Sequence, residues 1–250
     1  MNKVNMSTTV QKRNVTTAIL VDGGFYRKRV NYYIGNISPE ERAKELIDHC
    51  HRLLSCDKYE QRNLYRIFYY DCPPIDKNVY NPISKRSVNL GKSDEYKWMT
   101  SFLAELKHHR KLALRMGRLS ENTLEYSLKY EALKKLLNGT ISINDITEAD
   151  LSLNIEQKGV DMRIGIDISS LAYKKQVDQI ILISGDSDFV PAAKQARREG
   201  IDFILNTLGA VIKDDLFEHI DGLISWAPKS AQKDTDKVNS QPCNIHSESI

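Results

Sequence analysis

Short apolar runs, each closed by a polar turn and separated by stretches of helical spacing, constrain this chain more than any other feature. The runs are TTAILVD (16 to 22), NLYRIFYYD (63 to 71), QIILIS (179 to 184) and IDFILN (201 to 206). Each is short, and rich in aliphatic, β-branched or aromatic residues, which suits a buried strand better than a helix. Helical patterns fall between them. One opens near Phe25, one runs from Pro39 to about Ser55 with Ser38 as N-cap, and one carries Val160, Ile164, Ile168, Leu171 and Ala172. Strands and helices alternating at these lengths make βαβ units, and so an α/β fold whose mainly parallel sheet is covered on both faces.

The rest of the pattern is uneven. A helix from about Phe189 to Glu199, a late helix near 211 to 217 and a short strand near Gly222 to Ser225 complete the C-terminal half. In the middle, residues 75 to 92 read as a basic loop and 94 to 109 as a helix with Trp98, Phe102 and Leu106 on one stripe. Residues 111 to 119 read as a third strand, and 123 to 137 as a helix bearing Leu124, Leu128 and Leu133. The stretch from about 75 to 150 is placed as a helical insertion in one domain spanning 16 to 227. Residues 1 to 15 and 228 to 250 are polar, bury too little to offset their ordering entropy, and are expected to be disordered.

Composition narrows the function classes without choosing among them. The 36 Lys and Arg against 33 Asp and Glu leave a net charge of +3, which neither repels nor identifies a polyanion. No apolar run approaches the ~18 residues of a membrane span, and no hydrophobic signal segment opens the chain, so no membrane role is expected. Cys50, Cys56, Cys72 and Cys243 lack CxxC pairing or scaffold density, which fits a reducing cytoplasm. His49 and His51 flank Cys50, but neighbours two apart on a helix point to different sides, so a surface helix is expected there rather than a zinc site.

Four acids stand where strands end or helices begin: Asp22, Asp161, Asp186 and Asp188. The crevice of an open parallel sheet lies beyond the carboxyl ends of its strands, so three separate segments would deliver acids to one rim. Clustered carboxylates repel one another, and a hard dication such as Mg2+ or Mn2+ relieves that repulsion while leaving positions for a phosphate. Gly23 and Gly24 would let the backbone approach a ligand, and Ser184 and Ser187 could hydrogen-bond the carboxylates or a water. Asp167 lies six residues beyond Asp161 on another face of the helix, which suits a supporting or purely structural role. Taken singly, each acid reads equally well as an N-cap, a turn former or a partner of the helix dipole; it is the joint occurrence that points to a metal site.

The segments ILVDGGF (19 to 25), KGVDMRIGIDISSLAY (158 to 173) and IILISGDSDFVPAAKQARREGIDFIL (180 to 205) resemble the NYN domain, the LabA-like branch of the PIN-like ribonucleases. The resemblance extends over roughly residues 16 to 225. It implies a three-layer α/β/α sandwich and metal-dependent RNA cleavage, with Asp22, Asp161, Asp186 and Asp188 as catalytic metal ligands for Mg2+ or Mn2+. Many relatives read DGxN at the first motif, where this chain has Phe25. Candidate contacts to an RNA backbone are Arg27, Lys28, Arg29, Lys85, Arg86, Lys158 and Arg163, and Tyr26, Tyr32 and Tyr33 are candidates for stacking on bases. A solvated helix face explains any one of them equally well.

The expected function is therefore a metal-dependent ribonuclease, with a non-catalytic RNA-binding or regulatory module as the alternative. A haloacid-dehalogenase phosphatase would need DxDxT after the first strand and a Toprim domain a Glu there; this chain has neither. A homodimer, and a protein partner docked through the insertion or the C-terminal tail, stay open.

Overall fold

A computed structural model of the chain describes residues 12–120 and 124–225. It opens with β1 (Arg13–Asp22), helices α1 (Gly23–Ile34) and α2 (Pro39–Ser55), and β2 (Glu60–Asp71). The middle follows: β3 (Asn78–Asn81), β4 (Arg86–Asn89), α3 (Asp94–Lys107), β5 (Leu112–Met116), β6 (Arg118–Leu119), β7 (Glu125–Leu128), α4 (Tyr130–Leu137), β8 (Leu151–Asn154) and β9 (Gln157–Lys158). The C-terminal part comprises α5 (Val160–Tyr173), β10 (Gln179–Ile183), α6 (Val190–Arg198), β11 (Asp202–Asn206), α7 (Asp214–Phe217) and β12 (Gly222–Ile224).

Six strands form one sheet in the order β12-β11-β10-β1-β2-β5, and every neighbouring pair is parallel. The alternation of β1 explains the two cores. Ile19 and Val21 face α1, α2 and α3, where Tyr26, Leu46, Leu53 and Phe102 pack. Ala18 and Leu20 face the opposite layer of α5 and α6, with Ile164, Ile168 and Ala193. These two layers on one sheet make the three-layer α/β/α architecture that the strand–helix alternation implies.

Local chemistry fixes the helix ends. Ser38 Oγ accepts from the Glu41 N–H at 3.2 Å and the Glu41 carboxylate accepts from the Ser38 N–H at 3.0 Å, a reciprocal cap that starts α2 at Pro39. After α6 the chain turns at Gly200 with φ +77°, a left-handed conformation that glycine adopts without steric cost. His49 and Cys50 on α2 are fully buried and only His51 is exposed, so this stretch faces the core rather than forming a surface.

The middle departs from expectation in several places. Residues 78 to 89 form the antiparallel hairpin β3–β4 instead of a loop. The pattern read as a helix over 123 to 137 divides: Glu125–Leu128 is a strand paired with β8, and only Tyr130–Leu137 is helical. Leu128 and Leu151 are cross-strand partners, so tertiary pairing overrides the helical spacing. The strand read over 111 to 119 breaks at Gly117, where a side chain would come within 2.8 Å of the Lys158 carbonyl; β6 beyond it pairs with β9 instead of the main sheet. At the N-terminus β1 begins at Arg13, inside the stretch expected to precede the domain. The rest of that stretch, residues 1–11, and the C-terminal tail lie outside the described residues. No helix among the described residues is long and apolar enough to cross a membrane.

Candidate active site

The strand order reverses between β1 and β10. The chain leaves β1 toward β2 and β5, then returns to the other side of β1 to lay down β10, β11 and β12. In parallel α/β sheets the crevice beyond the strands' carboxyl ends opens at such a reversal. Val21 pairs with Ile183, so Asp22 and Ser184 leave the sheet side by side at this point.

Asp22 is held from two directions. Its Oδ1 accepts from the Phe25 N–H at 3.1 Å, which caps α1, and its Oδ2 accepts from Ser184 Oγ at 3.3 Å. Ser184 is fully buried and also accepts from the Asp186 N–H at 3.3 Å, so one hydroxyl ties the β1 acid to the β10 turn. Asp186 in turn accepts from the Asp188 N–H at 3.0 Å and caps the 3-10 turn Ser187–Phe189. Gly185 lies under the Phe25 ring: a Cβ there would sit 2.8 Å from the ring edge. Phe25 thus closes over the turn that presents Asp186.

Asp161 stands exposed in the first turn of α5. Burial raises its pKa above the ordinary carboxylate value, and the charges of Asp186 and Asp188 raise it further. Burial likewise raises Asp22, aided by the charges of Asp161 and Asp71 and opposed by the hydrogen bonds from Phe25 and Ser184. Asp161 thus lies within electrostatic reach of Asp22 on one side and of Asp186 and Asp188 on the other.

A fifth acid belongs to this rim. Asp71 ends β2 as Asp22 ends β1, and it is 1% exposed. Its Oδ2 accepts from Tyr69 Oη at 2.9 Å and from Arg27 Nη1, and its Oδ1 accepts from the Cys72 N–H at 2.8 Å. Gly23 is the glycine this packing requires, because a Cβ would fall 2.6 Å from both Asp71 Oδ2 and Tyr69 Oη. Asp71 satisfies the same strand-end criterion that singled out Asp22, and that criterion, applied to NLYRIFYYD, would have found it.

The other candidates separate into held and exposed groups. Arg27 pairs with Asp71 through Nη1, which also lies 3.0 Å from Met99 Sδ. Arg29 donates to the Leu208 carbonyl and to Tyr33 Oη and lies over the Tyr32 and Tyr33 rings. Lys28, Lys85, Arg86, Lys158 and Arg163 are exposed; Lys158 pairs with Glu156 at 3.3 Å and Arg163 Nε donates to the Met116 carbonyl at 2.9 Å. Tyr26 is fully buried against Glu45 and cannot stack on a base, whereas Tyr32 is 78% exposed. Asp167 accepts from Tyr70 Oη at 2.9 Å and pairs with Arg115 at 3.0 Å, contacts that anchor α5 to the sheet. Ser187 is met by Lys213 Nζ at 3.5 Å.

The rim's donors are carboxylate and hydroxyl oxygens, and Asp22 and Asp161 are raised first by burial and then by neighbouring carboxylates. Both properties suit a hard divalent cation. Among the described residues no three His, Cys, Asp or Glu side chains stand grouped so that they could hold a metal ion.

No curated protein matches the chain. A crystal structure of a protein of unknown function from Vibrio parahaemolyticus matches with a TM-score of 0.42 and 14% identity, over 85% of this chain and 93% of that one. The model of the NYN domain family matches residues 94–225, a span holding Asp161, Asp186 and Asp188 and just over half of the sequence. The chain belongs to the NYN domain family, whose fold is nuclease-like.

Proposed function

We propose that this protein is a metal-dependent ribonuclease that hydrolyses RNA phosphodiester bonds at the rim between β1 and β10. The observation that carries the reading is the buried Ser184 hydroxyl, which donates to Asp22 and accepts from the Asp186 N–H at the point where the strand order reverses. Asp22, Asp161, Asp186 and Asp188 would hold Mg2+ or Mn2+, which supplies Lewis acidity toward the phosphate and a more acidic water. Ser184 orients Asp22 and the backbone of Asp186 together. Lys28, Lys158, Lys85 and Arg86 are the exposed cations suited to phosphate contacts, which position a strand without reading its sequence.

The test is cleavage of end-labelled RNA by the purified chain. Wild type should cut with Mg2+ or Mn2+ and stop in EDTA, and Asp22→Asn and Asp186→Asn should not cut although their circular dichroism is unchanged. No cleavage with either metal, or full activity in the Asn variants, would overturn the reading.

One observation favours a second reading, a non-catalytic RNA-binding module. The Phe25 ring covers Gly185 where many relatives have a polar Asn. Filter binding separates the two: a pure binder holds RNA in EDTA and leaves it intact when metal is restored.

A further inference from the structure

Beside the rim lies a cleft of about 240 Å³ that none of the four acids lines. Pro74 and Ile75, which follow β2, form part of its wall, and Leu153 and Ile155 from the middle segment form another part. Its polar side chains are Arg27, Asp71, Ser93, Glu95, Tyr96 and Gln157. Asp71 is fully engaged by Arg27, Tyr69 and the Cys72 N–H. Arg27 keeps 21% of its side chain exposed, and Glu95 is exposed at the start of α3.

The cleft adjoins the candidate active site. A point one Cβ out from Gly24 lies 3.6 Å from Asp22 Oδ1 and 4.0 Å from Gln157 Oε1. Gln157 lines the cleft, so one short step of backbone separates the β1 acid from the cleft wall. A nucleotide whose phosphate rests at the rim can place its neighbouring base here.

We propose that this cleft is a base-recognition subsite that takes guanine. Apolar walls with a small number of placed polar groups suit a flat heterocycle that is apolar on its faces and polar along its edge. Guanine presents acceptors at O6 and N7, which an arginine reads, and donors at N1 and N2, which a carboxylate reads. Arg27 supplies the donors and Glu95 the acceptor, and both line this cleft and the adjoining one that reaches Trp98. Adenine would turn its exocyclic donor toward the guanidinium and lacks the donors that Glu95 accepts. The Arg27–Asp71 ion pair fixes the reading group, which makes Asp71 a positioning residue for specificity.

This inference deepens the ribonuclease reading and rests on it for its biological use, but it is tested without catalysis. Binding of GMP, AMP, CMP, UMP and ribose 5-phosphate to the full chain is measured by calorimetry in EDTA, so that the shared phosphate cancels. GMP should bind about tenfold tighter than the other four, the discrimination one good donor–acceptor pairing carries. Glu95→Gln, an exposed change, should remove that preference and leave ribose 5-phosphate binding as it was. Ile155→Trp, which fills the cleft from a partly exposed position, should weaken all four nucleotides toward ribose 5-phosphate. Equal binding of all five ligands, preference for another base, or a guanine preference that survives Glu95→Gln would each overturn the proposal. Guanine preference in a chain that cuts no RNA would keep the subsite and sink the nuclease instead.

Discussion

The two halves of the acidic rim are built in opposite ways. On the β1–β2 side, Asp22 and Asp71 are drawn into the protein. Asp71 is 1% exposed and carries three hydrogen-bond donors, and Asp22 carries two. On the α5–β10 side, Asp161, Asp186 and Asp188 are exposed on a helix start and a turn, where backbone N–H groups and water share their solvation. Burying a carboxylate is costly unless hydrogen bonds or a counter-charge offset it, whereas an exposed one is free to accept a ligand. The buried side fixes the geometry of the rim and the exposed side offers it to a substrate. Substituting Asp71 should therefore move stability and substituting the exposed acids activity, while Asp22, where the two sides meet, should move both.

The largest effect expected is catalytic and comes from the exposed side. Asp188→Asn should lower Mn2+-dependent RNA cleavage by more than about a hundredfold, in line with losses at metal-supporting residues. Its unfolding free energy from urea denaturation should change by less than about 0.5 kcal/mol, as for exposed substitutions. A variant that unfolds easily, with activity falling only in proportion, would erase the contrast.

Next in size is a stability effect from the buried side. Asp71→Asn leaves Arg27 facing a neutral amide and disturbs the hydrogen bond from Tyr69. Removing one partner of a buried pair costs about 3–5 kcal/mol, and the partial exposure of Arg27 places this change nearer about 2 kcal/mol. Urea denaturation in EDTA measures it. If Asp71→Asn keeps wild-type stability and loses only cleavage, Asp71 belongs with the exposed acids and the comparison is drawn in the wrong place.

The sequence revealed the sheet because its strands are buried on both faces. QIILIS and ILVD read as strands wherever they occur, and the turns after them expose the acids. The middle segment was illegible for the opposite reason. Its short strands pair across gaps, Leu119 with Gln157 and Leu128 with Leu151, and are half exposed, so no local period marks them. Single residues failed in the same way. Arg27 shows its charge in the sequence but not its partner, 44 positions away, and Tyr26 shows an aromatic ring but not its burial beside Glu45. Asp167 had a readable position on α5, while its bonds to Tyr70 and Arg115 depend on the sheet beneath it.

The smallest effect expected is the most diagnostic, because it concerns Asp22, where the two halves meet. Burial raises the Asp22 pKa above its ordinary 3.8, and the charges of Asp161 and Asp71 add to that. Between 3.8 and the raised value the folded chain holds a proton that the unfolded chain has released. Folding then weakens as pH rises through this window, and above it the full penalty applies. Asp22→Asn removes the titrating group, and an Asn can still cap α1. The variant should be more stable than wild type at pH 7.5 in EDTA, and the difference should vanish as the pH falls below the window. A divalent cation that binds only the folded rim should raise the wild-type midpoint and leave the variant's almost unmoved. Thermal unfolding at two pH values, with and without Mn2+, reads all of this. A variant less stable than wild type at both pH values would mean that the hydrogen bonds from Phe25 and Ser184 outweigh burial, and Asp22 would then serve the frame of the rim more than its ligand.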